Sequence, residues 1–163
     1  MIYHIIGIDP GLSKTGIAII EINNNSIQEI KTLFISTTTK DINRIQNIIN
    51  HIIYILMRYR KTIKCLFIER VFFNQNITSF NQVTQVVGTI KYFSNFFNIT
   101  TKELTPLVIK KFITGNGRSE KSQVLKWLLS KYKIHNFLYC SNLTKDEIDA
   151  VACAITGWKN QQI

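Results

Sequence analysis

The first part of the chain has the pattern of three strands. Apolar and β-branched residues fill positions 2–9, 17–22 and 27–36, and a Pro-Gly turn and a run of three asparagines separate them. Runs of this kind bounded by turn residues are typical of β-strands. Strands that follow one another through short turns pair antiparallel. The pattern therefore predicts an antiparallel meander.

The next segment changes to helical spacing. Beyond Asp41, a predicted N-cap, apolar residues recur three or four positions apart from Ile42 to Leu56, and the segment ends in the basic run 58–61. Apolar residues at this spacing occupy one face of a helix. Asp is among the residues preferred at helix N-caps. We expect the isoleucine face of this helix to pack against the sheet.

Strands and helices alternate through the remainder. The predicted strands are 65–68 and about 99–104, and the predicted helices are 79–97, one from Thr105, about 120–132 and 145–158. Ser79 and Gln82 have the spacing of a capping box, and Thr105 precedes Pro106 as an N-cap precedes a proline at the first helical position. This order predicts an α/β fold with a mixed sheet flanked by helices. Without a linker or an internal repeat, residues 1–163 are predicted to form a single domain.

Size and cysteine usage indicate a protein without covalent cross-links. A chain of 163 residues with 45% hydrophobic residues can bury a core of its own. Its cysteines, Cys65, Cys140 and Cys153, lack the paired spacing of zinc sites or disulfide frameworks. The apolar start has no basic leader, and the stretch 48–57 is far shorter than the roughly 20 residues of a membrane span. We expect a cytoplasmic protein with free thiols and no membrane partner.

Basic residues clearly outnumber acidic ones. Twenty Lys and Arg against ten Asp and Glu give a formal net charge of +10. Such an excess favours a polyanionic partner, because each phosphate contact releases condensed counterions. Heavy use of Ile, Asn and Lys is also typical of A/T-rich genomes. Charge alone therefore leaves both a nucleic-acid partner and a merely solubilising surface open.

Two of the few acids end apolar strands. Asp9 closes the first predicted strand just before a glycine turn, and Glu69 closes the run 65–68. Asp-Pro-Gly is also a good turn sequence, and a charge at the end of a buried strand is also a common boundary. Each acid alone is therefore equally well explained by local structure or by a site.

The last helix discriminates better between these interpretations. Thr144 and Glu147 have capping-box spacing, which leaves Asp146 and Asp149 three positions apart on one helical face. Acids in a first turn also complement the helix dipole. That explanation suits Asp146, but Asp149 lies on the side of the apolar stripe that follows it.

The four acids together predict a metal centre. Burying several carboxylates without compensation would be prohibitive. Oxygen ligands without paired Cys or His spacing favour Mg²⁺ or Mn²⁺. Two such ions can hold the attacking water and the leaving oxygen of a phosphodiester in line. Asp9, Glu69, Asp146 and Asp149 are thus predicted as metal ligands and catalytic residues of a nuclease.

Four motifs resemble the RuvC family of Holliday-junction resolvases, and the resemblance covers nearly the whole chain. In order, the motifs are Ile6-Gly7-Ile8-Asp9-Pro10-Gly11 with Thr15-Gly16, Phe67-Ile68-Glu69 with Val71-Phe72, Glu120-Lys121-Ser122-Gln123-Val124, and Asp146-Glu147-Ile148-Asp149-Ala150. The resemblance implies a ribonuclease-H-like fold with a mixed five-stranded sheet. It also implies a homodimer that nicks two opposed strands of a four-way junction, the four acids as metal ligands, and action with a branch-migration motor like RuvA and RuvB.

The resemblance also implies roles in DNA binding. Phe72 matches the aromatic residue that family members insert at the junction centre, although an ordinary core phenylalanine is the alternative. Lys110 and Lys121 match residues that contact the scissile backbone or assist the transition state; a solvated helix face is the alternative for Lys121. Arg70 and Arg118 depart from the family pattern. Both are predicted to contact DNA without touching the metals.

Three other functions stay open on the sequence. Sugar-kinase and actin-like ATPases share the strand, Asp and glycine turn, but they need a second lobe for which this chain has no room. A ribonuclease-H-type enzyme acting on RNA–DNA hybrids would use the same metal centre. Only the resemblance, through Phe72 and Lys121, argues against that function. A non-catalytic junction-binding protein would leave the four acids without a purpose.

Overall fold

A computed structural model describes residues 1–73, 76–132 and 143–161 of the chain. Within these ranges the elements are β1 (Tyr3–Asp9), β2 (Lys14–Asn23), β3 (Ser26–Ser36), α1 (Arg44–Tyr59), β4 (Ile63–Glu69), α2 (Ile77–Phe96), β5 (Thr101–Leu104), α3 (Pro106–Thr114), α4 (Lys121–Tyr132) and α5 (Lys145–Asn160). The predicted alternation of strands and helices after the meander is confirmed. Cys140, one of the three predicted free thiols, lies outside the described residues.

The strands form a sheet in the order β3-β2-β1-β4-β5. β1 with β2 and β2 with β3 pair antiparallel, which confirms the meander, whereas β4 and β5 continue the sheet parallel to β1. The β2–β3 hairpin turns through Asn24 and Asn25, which have φ values of 49° and 57°. Asn tolerates this left-handed conformation better than most residues. The sheet is thus mixed and five-stranded, as expected.

Helices cover both faces of the sheet. On one face, α1 and α2 enclose an apolar core to which α1 contributes Ile48, Ile52 and Leu56, and this confirms the predicted packing of the isoleucine face. On the other face, α3, α4 and α5 enclose a second core. No helix in the described part of the chain is long and apolar enough to cross a bilayer.

The predicted N-cap of α1 is wrong. The helix begins at Arg44, and the preceding Asn43 makes no capping hydrogen bond through its side chain. Asp41 instead accepts a hydrogen bond from the backbone N–H of Thr38 at 2.5 Å. Its carboxylate therefore stabilises the turn between β3 and α1. Asp forms such a local hydrogen bond to the backbone as readily as it caps a helix. Ile42, which would have belonged to the helix, is 97% exposed.

The predicted capping box of α2 is also wrong. The helix begins at Ile77, and Asn76 Oδ1 accepts a hydrogen bond from the backbone N–H of Ser79 at 2.9 Å. Ser79 therefore lies within the first turn and is capped by another residue. Asn is as good an N-cap as Ser, so two polar residues three positions apart do not show which of them begins the helix.

Candidate active site

Asp9 and Glu69 end two neighbouring strands. β1 and β4 are parallel, and their pairing reaches Ile8 with Ile68, the residues directly before the two acids, so both acids lie at the same end of the sheet. Side chains two positions apart on a strand share a face. The residues two positions earlier, Gly7 and Phe67, contact α5. The two carboxylates therefore face the side of the sheet that α5 covers.

Helix α5 brings the other two acids to this end of the sheet. The backbone N–H of Glu147 donates to Thr144 Oγ1 at 3.3 Å, and the backbone N–H of Thr144 donates to Glu147 Oε2 at 2.9 Å. The predicted capping box is therefore confirmed. It engages Glu147 and leaves Asp146 and Asp149 on one face of the helix.

The first turn of α5 lies directly against the sheet. A Cβ atom on Gly16 would stand under 3.0 Å from the backbone of Asp146, and a Cβ on Gly7 would overlap α5 one turn later. The backbones approach this closely because the strands present no side chain at these two points. Gly16 is also the partner of Asp9 in the β1–β2 ladder. The same contact therefore sets the position of Asp146 relative to Asp9.

A buried threonine restrains the turn that follows Asp9. The Thr15 side chain is completely buried, and its hydroxyl donates a hydrogen bond to the carbonyl oxygen of Gly11 at 2.6 Å. Such side-chain bonds to nearby backbone restrict a turn to one conformation. The Asp-Pro-Gly segment therefore leads into the bend between β1 and β2, and Asp9 at the end of β1 is also one of the clustered acids. The two interpretations of Asp9 are compatible.

Burial and the charges of neighbouring acids raise the pKa of Asp9 and of Glu69. Burial, followed by the negative charges of Asp149 and Asp146, raises the pKa of Asp9 to about 7 despite the opposing charge of Lys121. Burial, followed by the charges of Asp9 and Asp149, raises the pKa of Glu69 to about 8. Burial also raises the pKa of Asp149. Residues far apart in sequence thus share one electrostatic environment, where ionised carboxylates lack sufficient positive charge.

Two lysines supply part of that charge. Lys121, half-exposed at the start of α4, forms an ion pair with Asp149. Burial alone would lower the pKa of Lys121, but the hydrogen bond to Asp149 and the negative charge of the neighbouring acids raise it overall. The charge of Lys110 on α3 opposes the upward pKa shift that burial causes at Glu69 and Asp149. The predicted lysines therefore both lie within electrostatic reach of the acids.

The four acids lie near one another, but their side chains are not arranged to bind one metal ion together. In residues 1–73, 76–132 and 143–161, no group of three or more His, Cys, Asp or Glu side chains is placed to hold one metal ion. The Lys121 ammonium instead neutralises Asp149. Joint ligation of an ion therefore requires the carboxylate side chains to rotate from the positions in this structure. The assignment of the four acids as metal ligands stays a prediction.

The predicted DNA contacts lie in different surroundings. Phe72, in the segment after β4, is 58% exposed, which does not fit the core alternative. Arg70 is exposed close by and forms an ion pair with Glu103. Arg118 is exposed in the loop between α3 and α4, where its backbone N–H donates to Asn116. Their contacts with DNA stay predictions.

The position of Cys153 next to the acids was not predicted from the sequence. Cys153 is fully buried one helical turn after Asp149. Burial, followed by the charges of Glu69 and Asp9, raises the pKa of its thiol well above the usual value. A neutral thiol thus lies behind the carboxylates, and only the four-residue spacing from Asp149 could have placed it there. Cys65 and Cys153 are free, as predicted.

Comparison with known sequences gives a consistent result. The family model described as crossover junction endodeoxyribonuclease RuvC matches residues 5–157. The crossover junction endodeoxyribonuclease RuvC of Orientia tsutsugamushi (strain Boryong) is 35% identical over 161 residues, which are 98% of this chain and 97% of that protein. The RuvC of Helicobacter acinonychis (strain Sheeba) is 34% identical over 157 residues, with 93% and 94% covered.

Solved structures agree at the level of the fold. Thermus thermophilus RuvC superposes with a TM-score of 0.78 at 18% identity, covering 99% of this chain and 96% of that chain. The structure of T. thermophilus RuvC in complex with Holliday junction substrate gives a TM-score of 0.79 at 18% identity, with 99% and 95% covered. These matches confirm the ribonuclease-H-like fold. Because the family model and the sequence relatives both span nearly the whole chain, this protein belongs to the RuvC family of crossover junction endodeoxyribonucleases.

Proposed function

We propose that Asp9, Glu69, Asp146 and Asp149 form the centre with which this endonuclease, a member of a metal-dependent family, resolves Holliday junctions. The main support is that burial, followed by the negative charges of neighbouring acids that include residues of α5, raises the pKa of Asp9 on β1 and of Glu69 on β4. A raised pKa means that the protein alone stabilises the ionised carboxylates poorly. A divalent cation binds the ionised form and supplies the missing positive charge.

The donor set fits a hard divalent cation. All four proposed ligands offer carboxylate oxygens, which Mg²⁺ and Mn²⁺ prefer. We propose Mg²⁺, with Mn²⁺ as a substitute, and two ions in each site. When bound, such ions supply Lewis-acid chemistry that activates water and neutralises charge on the phosphodiester. The protein's own contribution is to hold the ligands on two strand ends and one helix face.

The lysines complete the charge balance at the site. Lys121 forms an ion pair with Asp149. The Lys121 ammonium is also able to donate to a phosphate oxygen, where a charge-assisted hydrogen bond is strong. Lys110, whose charge also reaches Glu69 and Asp149, favours approach of the phosphate backbone. We therefore assign both lysines to the scissile strand and Lys121 to the catalytic set.

The symmetry of a four-way junction supports a dimeric protein. A RuvC relative from T. thermophilus has been solved with a Holliday junction. Symmetric nicks in two opposed strands require two active sites related by a twofold axis, and a homodimer supplies them. Exposed Phe72, with Arg70 and Arg118, is assigned to the DNA surface. We further propose that the dimer works in the cytoplasm with a motor of the RuvA and RuvB type.

One cleavage assay tests this function against its rivals. A synthetic four-way junction, a linear duplex and an RNA–DNA hybrid are incubated with the protein in Mg²⁺. We expect paired nicks in opposed strands of the junction and little cleavage of the other substrates. Preferential cleavage of the hybrid would favour a ribonuclease-H-type enzyme. Junction binding without cleavage of any substrate would favour a non-catalytic protein.

Phe72→Ala is expected to reduce junction resolution by about tenfold or more with little loss of stability, because a base-stacking aromatic is worth about 1–3 kcal/mol. The ring is already mostly exposed, so its removal opens no cavity in the core. Cleavage rates and melting temperatures of the variant and the wild type measure the two effects. Phe34→Ala on the edge strand β3, where the ring is 50% exposed, is the matched control. A large fall in melting temperature for Phe72→Ala would favour a packing role instead.

In the presence of a chelator, thermal stability is expected to fall as the pH rises from about 5 to 8. Asp9 and Glu69 have pKa values raised to about 7 and about 8 in the folded chain. The folded state therefore binds more protons than the unfolded state in this window, and folding loses stability as those protons leave. Mg²⁺ should restore the loss because it binds the folded, ionised site. Melting curves over this pH range, with chelator or with Mg²⁺, measure both effects.

Two variants control this measurement. Glu69→Gln should flatten the pH dependence in chelator and reduce the stabilisation by Mg²⁺, because it removes one of the three carboxyls whose pKa is raised. Glu29→Gln, which removes an acid paired with Lys31 on β3, should change neither quantity. Melting temperatures that are unchanged at saturating Mg²⁺, with equal pH slopes in all variants, would argue against a shared metal site.

A further inference from the structure

Arg70, Glu103 and Lys91 form a chain of ion pairs outside the acid cluster. Arg70 Nε lies 3.6 Å from Glu103 Oε2, and Lys91 Nζ lies 2.8 Å from Glu103 Oε1. The three residues come from different places: just beyond β4, from β5 and from α2. Each oxygen of the Glu103 carboxylate is therefore paired with a different cation.

The local backbone determines on which face of the sheet the Arg70 side chain lies. Arg70 directly follows Glu69, and its backbone N–H donates to the carbonyl oxygen of Leu104 at 2.8 Å, which continues the β4–β5 ladder. Because successive side chains on a strand alternate between faces, Glu69 and Arg70 point to opposite faces. Arg70 therefore lies on the α2 side of the sheet, where Glu103 and Lys91 meet it.

Arg70 also lies between two proposed DNA contacts. This step rests on the proposed function, in which Glu69 acts at the scissile phosphate and Phe72 acts at the bases. The three steps from Glu69 to Phe72 span at most about 10 Å of extended chain. That length equals about three nucleotide steps of roughly 3.4 Å along one strand. Arg70 follows Glu69 at the same end of the sheet, and its exposed side chain therefore lies beside the path of a strand that reaches both residues.

The guanidinium of Arg70 has donors left for a phosphate. Its side chain is 52% exposed, and its contact with Glu103 is made through Nε. Arginine offers five N–H donors in a planar fork. A carboxylate on the Nε edge leaves terminal N–H groups directed away from Glu103, and paired N–H donors suit phosphate oxygens.

We infer that Glu103 is a positioning residue that directs Arg70 toward a backbone phosphate next to the scissile one. Lys91 holds Glu103 in turn, so the Arg70 side chain is restrained before DNA arrives. A restrained arginine loses less side-chain entropy on binding than a free one. The ligand of this site is a DNA phosphodiester of the junction strand.

The direction in which Glu103→Gln changes junction affinity distinguishes a positioning role from simple electrostatic repulsion. If Glu103 were only a negative charge near DNA, Glu103→Gln would strengthen junction binding, because repulsion of the phosphates would be lost. If Glu103 directs Arg70, the amide keeps the shape but loses the ion pair, and binding weakens. The effect must also depend on Arg70, since Glu103 acts through it.

The experiment is a double-mutant cycle on binding. Fluorescence anisotropy in chelator gives the Kd of a labelled four-way junction for the wild type, Arg70→Gln, Glu103→Gln and the double variant. Arg70→Gln should weaken binding about tenfold, as loss of a charged hydrogen bond does, and should lower the salt slope by about 0.9. Glu103→Gln should weaken binding about two- to fivefold, as loss of an exposed ion pair does. In the Arg70→Gln background, Glu103→Gln should no longer weaken binding.

Three results would overturn the inference. Glu103→Gln could bind the junction more strongly in the wild-type background, or it could weaken binding equally in both backgrounds. Arg70→Gln could alter the cleavage sequence with an unchanged salt slope, which would assign Arg70 to a base. Glu29→Gln, which breaks the 2.8 Å Lys31–Glu29 pair on the far edge strand, is the matched control and should leave Kd unchanged. Failure of the wild type to cleave junctions in Mg²⁺ would contradict the proposed function, whereas the binding cycle decides the role of Glu103 independently.

Discussion

Replacing Glu69 with glutamine is expected to slow junction cleavage by at least about a thousandfold while junction binding is retained. The amide keeps the shape of the carboxylate but lacks the charge that holds a divalent ion. Metal ions contribute several kcal/mol of transition-state stabilisation, and each 1.36 kcal/mol corresponds to a factor of ten in rate. Single-turnover cleavage of a four-way junction in Mg²⁺ measures the rate, and anisotropy in chelator measures binding.

Further variants make this result specific to the acid cluster. Asp146→Asn should behave like Glu69→Gln, because it removes a proposed ligand from the helix side of the site. Glu29→Gln, on the far edge strand, should cleave at the wild-type rate. Near wild-type cleavage by both Glu69→Gln and Asp146→Asn would remove these residues from the catalytic set. Loss of junction binding together with cleavage would indicate a role in DNA affinity instead.

The strand part of the site could be predicted from the sequence because the necessary signals are local. Asp9 and Glu69 each follow a run of buried residues, and an acid at such a position marks the end of a strand whichever strands become neighbours. The structure then shows that β1 and β4 are parallel neighbours. Parallel neighbours place their carboxyl ends at one edge of the sheet, so Asp9 and Glu69 come to lie at the same place.

Other features could not be predicted, either because two local alternatives are chemically equivalent or because they depend on contacts between distant segments. The Asn76 cap and the Ser79 alternative have equivalent local chemistry, so the sequence alone does not decide between them. Likewise, nothing around Arg70 in sequence indicates a carboxylate partner more than thirty positions away on β5. The pairing of Lys121 with Asp149 joins two helices in the same way. Both of these ion pairs follow from the tertiary arrangement.

Gly16→Ala is expected to lower the free energy of unfolding by about 1–3 kcal/mol, the usual cost of forcing an extra methyl into a packed contact. The new Cβ would stand under 3.0 Å from the backbone of Asp146, which cannot rotate away as a side chain can. The first turn of α5 must therefore shift away from Asp9, the ladder partner of Gly16. A misplacement of about 1 Å in a catalytic group costs roughly a hundredfold in rate. Chemical denaturation and single-turnover cleavage measure the two losses.

Gly88→Ala separates this effect from the general effect of a methyl group. A Cβ on Gly88, in the middle of α2, would have no atom within 4 Å, so alanine there should raise helix stability by up to about 1 kcal/mol. Its cleavage rate should equal that of the wild type. For Gly16→Ala, the rate should stay low under conditions where the variant is fully folded, because the displaced Asp146 and not unfolding causes the loss. A folded Gly16→Ala variant with wild-type cleavage would show that the close approach of α5 to β2 is not what positions the acids.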